Sequence, residues 1–522
     1  MNLSGMKRYG ASEIVDAVVI GTGAGGSPLL ARLAAKGLSV VALEAGRNRD
    51  PEEFAADETL SSDLYWMNER VSGGRTPEAF GANNSGIGVG GSMLHWGAYV
   101  PRADPRDLKL RTETGLGEDW PIEHRELVPY YEEVESFIGV SGPARYVFDE
   151  TRRYKLPPVK RNAPAQAMAD GCAKLGLRID DGPVAAVSQD FQQQEGPLRH
   201  ACANCGYCHQ GCRNGAKASM DVTYLPMAVR RGAEIRPECF ATGFERDREG
   251  RITAVVYRQG DREMRQPCRA VFLCAGAVET PRLLLNAELA NRNGQVGKHY
   301  TAHVATQVWG TFEREMRMNK GYPSAMITED MLRPTDANFA GGYLVQSLGV
   351  VLGTFADQVA RGRGLWGEDL VRYLDRYNHT AGIGINGEGL PHEDNYLTLA
   401  DERDATGLRK PLIRYSYQEN ERAIRDHSVR FMRGIWEAAG ATDIWVLERT
   451  AHTIGTCRMG HDPERSVVDD AGRSHEIENL WICDNSVFPS SLAANPALTI
   501  MALSLRTADR FLANGGAGRA RA

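Results

Sequence analysis

Four cysteines stand close together in the middle of this chain. Cys202, Cys205, Cys208 and Cys212 form a C-x2-C-x2-C-x3-C run, and such short gaps bring thiolates onto one metal centre at a small loop-closure cost. The spacing is that of bacterial ferredoxins, with Arg213 in place of the usual proline. In that pattern the fourth cysteine often serves a different cluster. We predict an iron–sulfur centre held by these cysteines, with tetrahedral zinc, disulfides or free thiols as alternatives.

A second constellation lies near the N-terminus, where glycines follow an apolar run. Residues 16–20 read as a buried strand, Gly21, Gly23 and Gly26 form a G-x-G-x-x-G turn, and residues 27–36 read as a helix. A second strand over 38–43 ends at Glu44, 18 residues after Gly26. In such a βαβ unit the turn receives a pyrophosphate and the acidic side chain accepts ribose hydroxyls. The unit predicts dinucleotide binding without separating FAD from NAD, and Glu44 argues only against a 2′-phosphate.

Composition narrows the function classes. The chain has 522 residues, with 61 Lys and Arg against 67 Asp and Glu and a net charge of −6, so no global positive field exists to hold nucleic acid or an acidic membrane. Apolar runs stay shorter than the roughly 18–20 residues of a membrane helix, and residues 1–13 have no apolar signal-peptide core behind them. We expect no nucleic-acid partner, no membrane span, and a cytoplasmic location, or a periplasmic one if a partner subunit carries the chain through export.

The remaining pattern describes the elements that must position these residues. Helices are expected over 125–137, 224–233 and 497–512, and a hairpin with strands at 235–244 and 252–257. A strand over 270–274 runs into a helix that ends near Asn286. Between 300 and 445 alternating stretches favour a separate antiparallel-sheet domain. The predicted fold class is α/β, α+β overall, with a Rossmann-like domain built from several segments and a second domain containing an antiparallel sheet.

Several motifs in a fixed order allow a family resemblance to be stated. After the glycine unit, Gly90 and Gly91 lie in the segment 88–96, and further motifs follow at 275–284, 452–460, 480–484 and 495–503. In kind and order they resemble the glucose-methanol-choline (GMC) oxidoreductases, and the likeness spans residues 14–503. The resemblance implies that the dinucleotide is FAD and that the protein oxidises an alcohol by hydride transfer to flavin N5.

The resemblance also implies roles for single residues. His452 and Asn495 would face the flavin on the substrate side. Hydride leaves carbon readily only as the hydroxyl proton is removed; a neutral histidine can accept that proton, and asparagine can hold the alcohol oxygen without carrying charge. His95 stands where some family members attach FAD covalently. Asp484 resembles an acidic residue near the pyrophosphate and ribityl chain.

The cysteine run has two counterparts within that family. Several of its sugar dehydrogenases resemble this chain in carrying a cysteine-ligated three-iron cluster, although their cysteine spacing differs. Its long-chain alcohol oxidases carry a Gly-Cys-Arg-x-Gly-x-Lys run that is similar to residues 211–217 here. An iron–sulfur centre is useful where electrons leave one at a time, which favours a dehydrogenase that reduces a cytochrome or a quinone.

Together these inferences predict an FAD-dependent dehydrogenase of a sugar or glycoside hydroxyl. Its electrons would pass through the iron–sulfur cluster to an external acceptor, a cytochrome or a quinone, with a small accessory subunit as a further candidate partner. The alternative is an O2-using oxidase of a long-chain or cyclic alcohol, with structural cysteines. Residues 1–160, 215–300 and 446–522 are expected to form the FAD-binding domain, 161–214 the cysteine-cluster segment, and 301–445 the substrate-binding domain.

Overall fold

The computed structural model describes residues 1–66, 70–74, 85–335 and 337–516. The remaining residues of the predicted domains, 67–69, 75–84, 336 and 517–522, lie outside the described residues. The helices are α1 (Gly26–Ala35), α2 (Leu110–Thr114), α3 (His124–Ile138), α4 (Ala163–Lys174), α5 (Tyr224–Arg230), α6 (Gly276–Asn286), α7 (Leu352–Arg363), α8 (Gly367–Leu374), α9 (Glu419–Ala439) and α10 (Ala497–Ala513).

The strands are β1 (Val15–Ile20), β2 (Val40–Leu43), β3 (Val71–Gly73), β4 (Asp180–Asp181), β5 (Phe191–Gln192), β6 (Leu198–Arg199), β7 (Glu234–Arg236), β8 (Cys239–Arg246), β9 (Ile252–Gln259), β10 (Arg262–Leu273), β11 (Thr301–Val304), β12 (Gln307–Thr311), β13 (Met326–Thr328), β14 (Tyr343–Leu348), β15 (Thr380–Gly387), β16 (Tyr396–Arg403), β17 (Arg409–Arg414), β18 (Thr442–Leu447), β19 (Thr450–Ile454) and β20 (Leu480–Ile482). The mixed α/β class is the predicted one.

A seven-stranded sheet carries the N-terminal βαβ unit. Its strand order is β7-β2-β1-β10-β9-β8, with β20 paired to β10. The pairs that join β7, β2, β1, β10 and β20 are parallel, whereas β10 also pairs antiparallel with β9. Strands β1 and β2 are almost wholly buried, as expected of parallel strands covered on both faces. The carboxyl ends of these five parallel strands therefore meet at one edge.

Two strand boundaries in this sheet differ from the sequence prediction. The expected strand over 235–244 is split into β7 and β8, because Glu238 between them has a φ of 55° that breaks the extended backbone. Strand β10 begins at Arg262, earlier than the predicted start at residue 270. Its first half is polar and partly exposed, so the apolar pattern used for the prediction begins only where the strand enters the core.

An eight-stranded antiparallel sheet forms the second layer. Its order is β18-β12-β15-β14-β13-β4, and β11 joins β15 to β19. Most of these strands come from 301–445, but β4 belongs to the expected cysteine-cluster segment and β19 to the expected FAD-binding range 446–522. The domain boundaries stay a prediction. The sheet nevertheless places β19, which contains His452, next to β11.

Within the described parts of the chain, no helix is both long enough and apolar enough to cross a membrane. The longest of them, α9, packs against the antiparallel sheet and α4. It buries one face there and carries charged residues along its length.

Candidate active site

A cavity of about 410 Å³ lies where the carboxyl ends of β1, β2 and β10 face the antiparallel sheet. Ligands of open α/β sheets bind at this edge. Of the ten residues predicted for catalysis or cofactor binding, eight line the cavity: Gly21, Gly23, Glu44, Gly91, His95, His452, Asp484 and Asn495. Gly26 and Gly90 do not line the cavity and support the turns behind it. The structure therefore brings residues from both ends of the chain to one site.

The glycine turn is shaped by backbone packing on one side and open space on the other. Gly21 has a φ of +100°, and a Cβ there would lie 2.5 Å from the Cys274 carbonyl oxygen. A Cβ on Gly26 would collide with the Gly21 carbonyl, so this glycine allows the close packing of helix on strand. Gly23 differs, because the nearest atom to its Cβ position is 3.9 Å away on Gly91. Protein atoms leave room beside Gly23, which fits the approach of a pyrophosphate.

Glu44 is buried and already satisfied by its protein neighbours. One carboxylate oxygen accepts hydrogen bonds from the Thr22 amide at 3.1 Å and the Thr22 hydroxyl at 2.7 Å. The other accepts from the Gly46 and Gly88 amides at 3.0 and 3.3 Å. Burial raises the pKa of Glu44, and these donors oppose the shift. Glu44 thus ties three backbone segments together, and its contact with a ribose stays a prediction.

Gly90 and Gly91 hold a second loop against the glycine turn. The Gly90 amide donates to the Thr22 hydroxyl at 3.0 Å. A Cβ on Gly91, whose φ is +57°, would lie 2.8 Å from Gly23 Cα. A side chain at Gly91 would therefore displace the glycine turn, whereas a Cβ on Gly90 would lie 2.8 Å from Leu94 Cδ2 of its own loop.

His95 follows this loop and presents a neutral ring. Burial lowers the pKa of His95 to about 3, with the Lys217 and His209 charges as smaller causes. Its Nε2 has no hydrogen-bond partner among the described residues, and its ring centroid is 4.5 Å from that of Tyr65. An unpartnered buried nitrogen beside the cavity fits a bound cofactor, and covalent attachment at His95 stays a prediction.

Asp484 fastens the end of β20 to the start of α6. Its carboxylate accepts from the Gly276 amide at 2.8 Å, the Thr280 hydroxyl at 2.7 Å and the Ser486 amide at 2.8 Å. Burial raises the pKa of Asp484, and these hydrogen bonds lower it. A carboxylate at a helix N-terminus is favoured by the helix dipole. Asp484 therefore fixes the N-terminus of α6 at the cavity.

A β-bulge aims His452 into the cavity. In the β11–β19 ladder Ala302 pairs with Thr453 and His303 pairs with Ala451, so His452 has no partner across the ladder. Its φ is 60°, in the left-handed region. Such a conformation costs about 1–3 kcal/mol in a non-glycine residue and is concentrated at functional sites. The bulge turns the imidazole out of the alternating pattern and towards the cavity.

His452 lies against a second histidine that the sequence prediction missed. His303 Nδ1 is 2.9 Å from His452 Nδ1, and His303 Nε2 is 3.0 Å from the Leu492 carbonyl oxygen. The rings meet at 85° with centroids 4.9 Å apart. Burial lowers the pKa of both, to about 4 for His303. A histidine in the short, fully buried strand β11 was the available signal.

Asn495 is also held by a residue that the sequence prediction missed. The Asn386 side-chain NH2 donates to Asn495 Oδ1 at 3.1 Å. Asn386 lies near the end of β15, which is buried along its whole length. A polar amide in such a strand requires a partner, and that requirement could have marked it. Because Asn495 Oδ1 is occupied, its NH2 group is the free end.

The cysteine run borders the same cavity. Gly206 and His209, which lie between the cysteines, are among its lining residues. His209 Nδ1 is 3.0 Å from the His95 carbonyl oxygen. The buried Lys217 donates to the carbonyl oxygens of Leu94 at 2.8 Å, Trp96 at 3.2 Å and Cys208. This ammonium group thus ties the loop beside His95 to the cysteine run.

The four thiols of the run are close but do not form a ligand set. Cys205 is exposed, and Cys202, Cys208 and Cys212 are half-buried. Burial raises the pKa of Cys208, Lys217 lowers it, and the other three thiols raise it further. In the described ranges no group of three or more His, Cys, Asp or Glu side chains is arranged to hold a metal ion. As arranged, these residues do not fit a metal cluster, and the predicted iron–sulfur centre is not confirmed.

All ten cysteines are free thiols in this structure. The six cysteines outside the run are buried: Cys172, Cys239, Cys268, Cys274, Cys457 and Cys483.

Comparison with known proteins gives consistent matches across the chain. Residues 76–305 and 391–504 match the N-terminal and C-terminal family models of the GMC oxidoreductases. A 2-methyl-1,2-propanediol dehydrogenase of Mycolicibacterium austroafricanum is 30% identical over 96% of this chain and 95% of its own length. A fructose dehydrogenase large subunit of Gluconobacter japonicus is 29% identical over 95% of this chain and 97% of its own length. The named relatives include oxidases as well as dehydrogenases.

Solved structures show the same fold. The crystal structure of pyridoxine 4-oxidase from Mesorbium loti superposes with a TM-score of 0.70 and 17% identity, covering 96% of this chain and 99% of that one. The family models match more than half of the chain, and the two relatives above cover 96% and 95% of it. The chain belongs to the GMC oxidoreductase family.

Proposed function

We propose that this protein is an FAD-dependent enzyme that oxidises the CH–OH group of an alcohol with His452 as the base. The observation that carries the proposal is that His452 and Asn495 line the same cavity as the glycine turn and Glu44. Membership of the family supports an oxidoreductase and supports FAD. FAD, when bound, would accept the hydride that leaves the carbinol carbon.

The FAD would be held by the glycine turn and by the loops that pack against it. Gly21 and Gly23 would receive the pyrophosphate, with Glu44 towards the ribose. Gly90 and Gly91 keep the second loop close, and Asp484, which caps the N-terminus of α6, would lie near the pyrophosphate and the ribityl chain. The fit is supported by the free space beside Gly23 and the unpartnered nitrogen of His95.

The reacting hydroxyl would lie between His452 and Asn495. Because burial lowers the pKa of His452, its imidazole is neutral and can accept the hydroxyl proton. Asn386 occupies the Asn495 oxygen, so the Asn495 NH2 group can donate to the alcohol oxygen as that oxygen gains negative charge. With FAD bound, the carbinol would give its hydroxyl proton to His452 and its hydride to the cofactor, which leaves a carbonyl product.

A sugar or glycoside hydroxyl is the proposed substrate class. In the antiparallel sheet Gly384 pairs with Gln307 on one side and Gln346 on the other, and all three line the cavity. Gln307 and Gln346 therefore bring two amide-bearing residues to the wall of the cavity. The side-chain amide oxygen of Gln346 has no partner in the described residues, and amide groups of this kind suit vicinal hydroxyls. The relative named fructose dehydrogenase supports the same class.

We also propose that electrons pass from the flavin through the cysteine run to an external acceptor. Cys202, Cys205, Cys208 and Cys212 would ligate an iron–sulfur centre, and the acceptor would be a cytochrome or a quinone. Two observations favour this use: the run borders the cavity, and one of its cysteines is exposed. Against it stands the present arrangement of the thiols, so no step is derived through the cluster. The relative named as a large subunit supports an accessory subunit as a further partner.

The competing function is an O2-using oxidase of a long-chain or cyclic alcohol. Relatives named as long-chain-alcohol oxidases favour it. In that case the cysteine run would be structural, and turnover would release hydrogen peroxide.

The test uses protein purified without air. We expect about one FAD per chain, with the flavin absorbance near ~450 nm, and bleaching of that band by sugars faster than by aliphatic alcohols. Iron and sulfide analysis on the same sample tests the cysteine proposal. Absence of a flavin band would overturn the function, whereas zinc alone, or no metal with peroxide release in air, would move it to the oxidase.

A further inference from the structure

The contact between His303 and His452 determines where their protons lie. The Leu492 carbonyl oxygen, 3.0 Å from His303 Nε2, can only accept a hydrogen bond. His303 Nε2 therefore carries a hydrogen. His303 is fully buried, and burial lowers its pKa to about 4, so its ring is neutral and carries one hydrogen. Its Nδ1 is then a bare acceptor.

The position of the proton on His452 follows. With a bare Nδ1 on His303 at 2.9 Å, the His452 Nδ1 must be the donor of that hydrogen bond. His452 is also neutral, since burial lowers its pKa well below the usual value. Its single hydrogen is on Nδ1, and its Nε2 has a free lone pair.

We infer that His303 is a positioning residue that fixes His452 in the Nδ1–H tautomer and so keeps Nε2 free to accept the substrate proton. The inference rests on the proposed function, in which His452 is the base. Without the His303 acceptor, the two neutral tautomers of His452 would be similar in free energy, and the Nε2–H form could not act as a base.

The backbone supports this arrangement. The bulge in the β11–β19 ladder lies between Ala302 and His303 on one strand and at His452 on the other. The same bulge therefore determines the orientation of both imidazole rings. The ring planes meet at 85°, which directs one nitrogen of His303 towards the His452 ring. Because His303 is neutral, it holds the His452 tautomer without adding a charge to the cavity.

A pair of substitutions separates this role from simple packing. Both His303→Leu and His303→Asn remove the donor to Leu492, but Asn keeps an acceptor near the position of Nδ1. In holoenzyme, anaerobic stopped-flow reduction of the flavin should be about 10-fold or more slower in His303→Leu. His303→Asn should recover most of the rate. FAD absorbance and melting temperature monitor folding in both variants.

Nitrogen NMR gives a direct readout that does not depend on activity. In wild-type holoenzyme labelled with 15N-histidine, the His452 signal, identified by its loss in His452→Ala, should show a protonated Nδ1 and a bare Nε2. An Nε2–H form in the wild type would overturn the inference. Equal rates in His303→Leu and His303→Asn would also overturn it, because packing alone would then explain the effect.

Failure of the inference is distinguishable from failure of the proposed function. If His452→Ala reduces the flavin at the wild-type rate, the base is misassigned and the proposed function fails. If His452→Ala is slow while His303→Leu keeps both rate and tautomer, only the inference about His303 fails.

Discussion

The reactive end of the cavity, formed by His452 and Asn495, differs from the cysteine run in how far its side chains are already held in place by protein partners. His452 and Asn495 each have a protein partner, His303 at 2.9 Å and Asn386 at 3.1 Å. The other three thiols of the run lie close enough to raise the pKa of Cys208, yet no metal-binding group forms in the described residues. Hydrogen bonds between side chains can complete the first site without a ligand. A metal site is completed by the metal itself, because its binding energy gathers the ligands.

The reactive end can be examined by single substitutions, whereas the cysteine run requires chemical analysis first. His452 Nδ1 and Asn495 Oδ1 each have a protein partner, so single changes at these residues should have graded effects. In the cysteine run, metal and sulfide analysis comes first, because the described thiols do not form a metal-binding group.

The largest effect is expected for His452→Ala. The rate of flavin reduction should fall by about 10² or more, since a positioned acid–base group contributes that much, while FAD content stays normal. Anaerobic stopped-flow measurement checks this, with His461→Ala as control, because His461 is an exposed histidine of the same segment. A wild-type rate in His452→Ala would mean that His452 is not the base, although its ring is held in place.

A smaller effect, confined to one assay, is expected for Cys205→Ser. Steady-state turnover with a one-electron acceptor should fall about 10-fold or more, by analogy with lost metal-site contacts, while single-turnover flavin reduction stays intact. Cys268→Ala, which removes a buried thiol outside the run, should leave both assays unchanged. If iron is absent and Cys205→Ser instead lowers FAD binding and melting temperature together, the run is a structural element.

Asn386→Ala should have a moderate effect at the reactive end. Loss of one hydrogen bond to Asn495 costs about 1 kcal/mol, or about fivefold in the rate of flavin reduction. Asn386→Asp keeps the size but offers only acceptors when ionised, so it should turn the Asn495 amide round and fail to restore the rate. Restoration by aspartate would show that Asn386 acts through packing and not through its NH2 group.

The smallest effect is expected for pH. Burial is the main cause that lowers the pKa of His452, followed by the nearby His303 and Arg449. A base with a lowered pKa stays neutral as the pH falls through the usual histidine range, so flavin reduction should change by about twofold or less between pH ~8 and ~6. Stopped-flow measurement of the rate of flavin reduction across this pH range checks the prediction. A loss of rate centred near pH ~6.5 would mean that His452 is solvated in the holoenzyme.

The nucleotide end of the cavity was accessible from the sequence. The strand, glycine turn, helix and acidic residue from residue 16 to Glu44 are consecutive, and local steric rules suffice to predict them. The structure has the corresponding β1, α1 and β2 within two residues of the predicted bounds. The antiparallel sheet was predictable as a class because alternation is also a local signal.

The partners of the candidate catalytic residues depended on the tertiary structure. His303 and His452 are 149 residues apart in sequence, and Asn386 and Asn495 are 109 apart. Their contacts exist because β11 pairs with β19 through a bulge and because β15 lies beside the segment before α10. The sequence by itself determined the chemistry of the residues and the nucleotide-binding unit. Which nitrogen and which amide face the cavity was decided by strand register and burial, because one residue of shift turns a side chain to the opposite face.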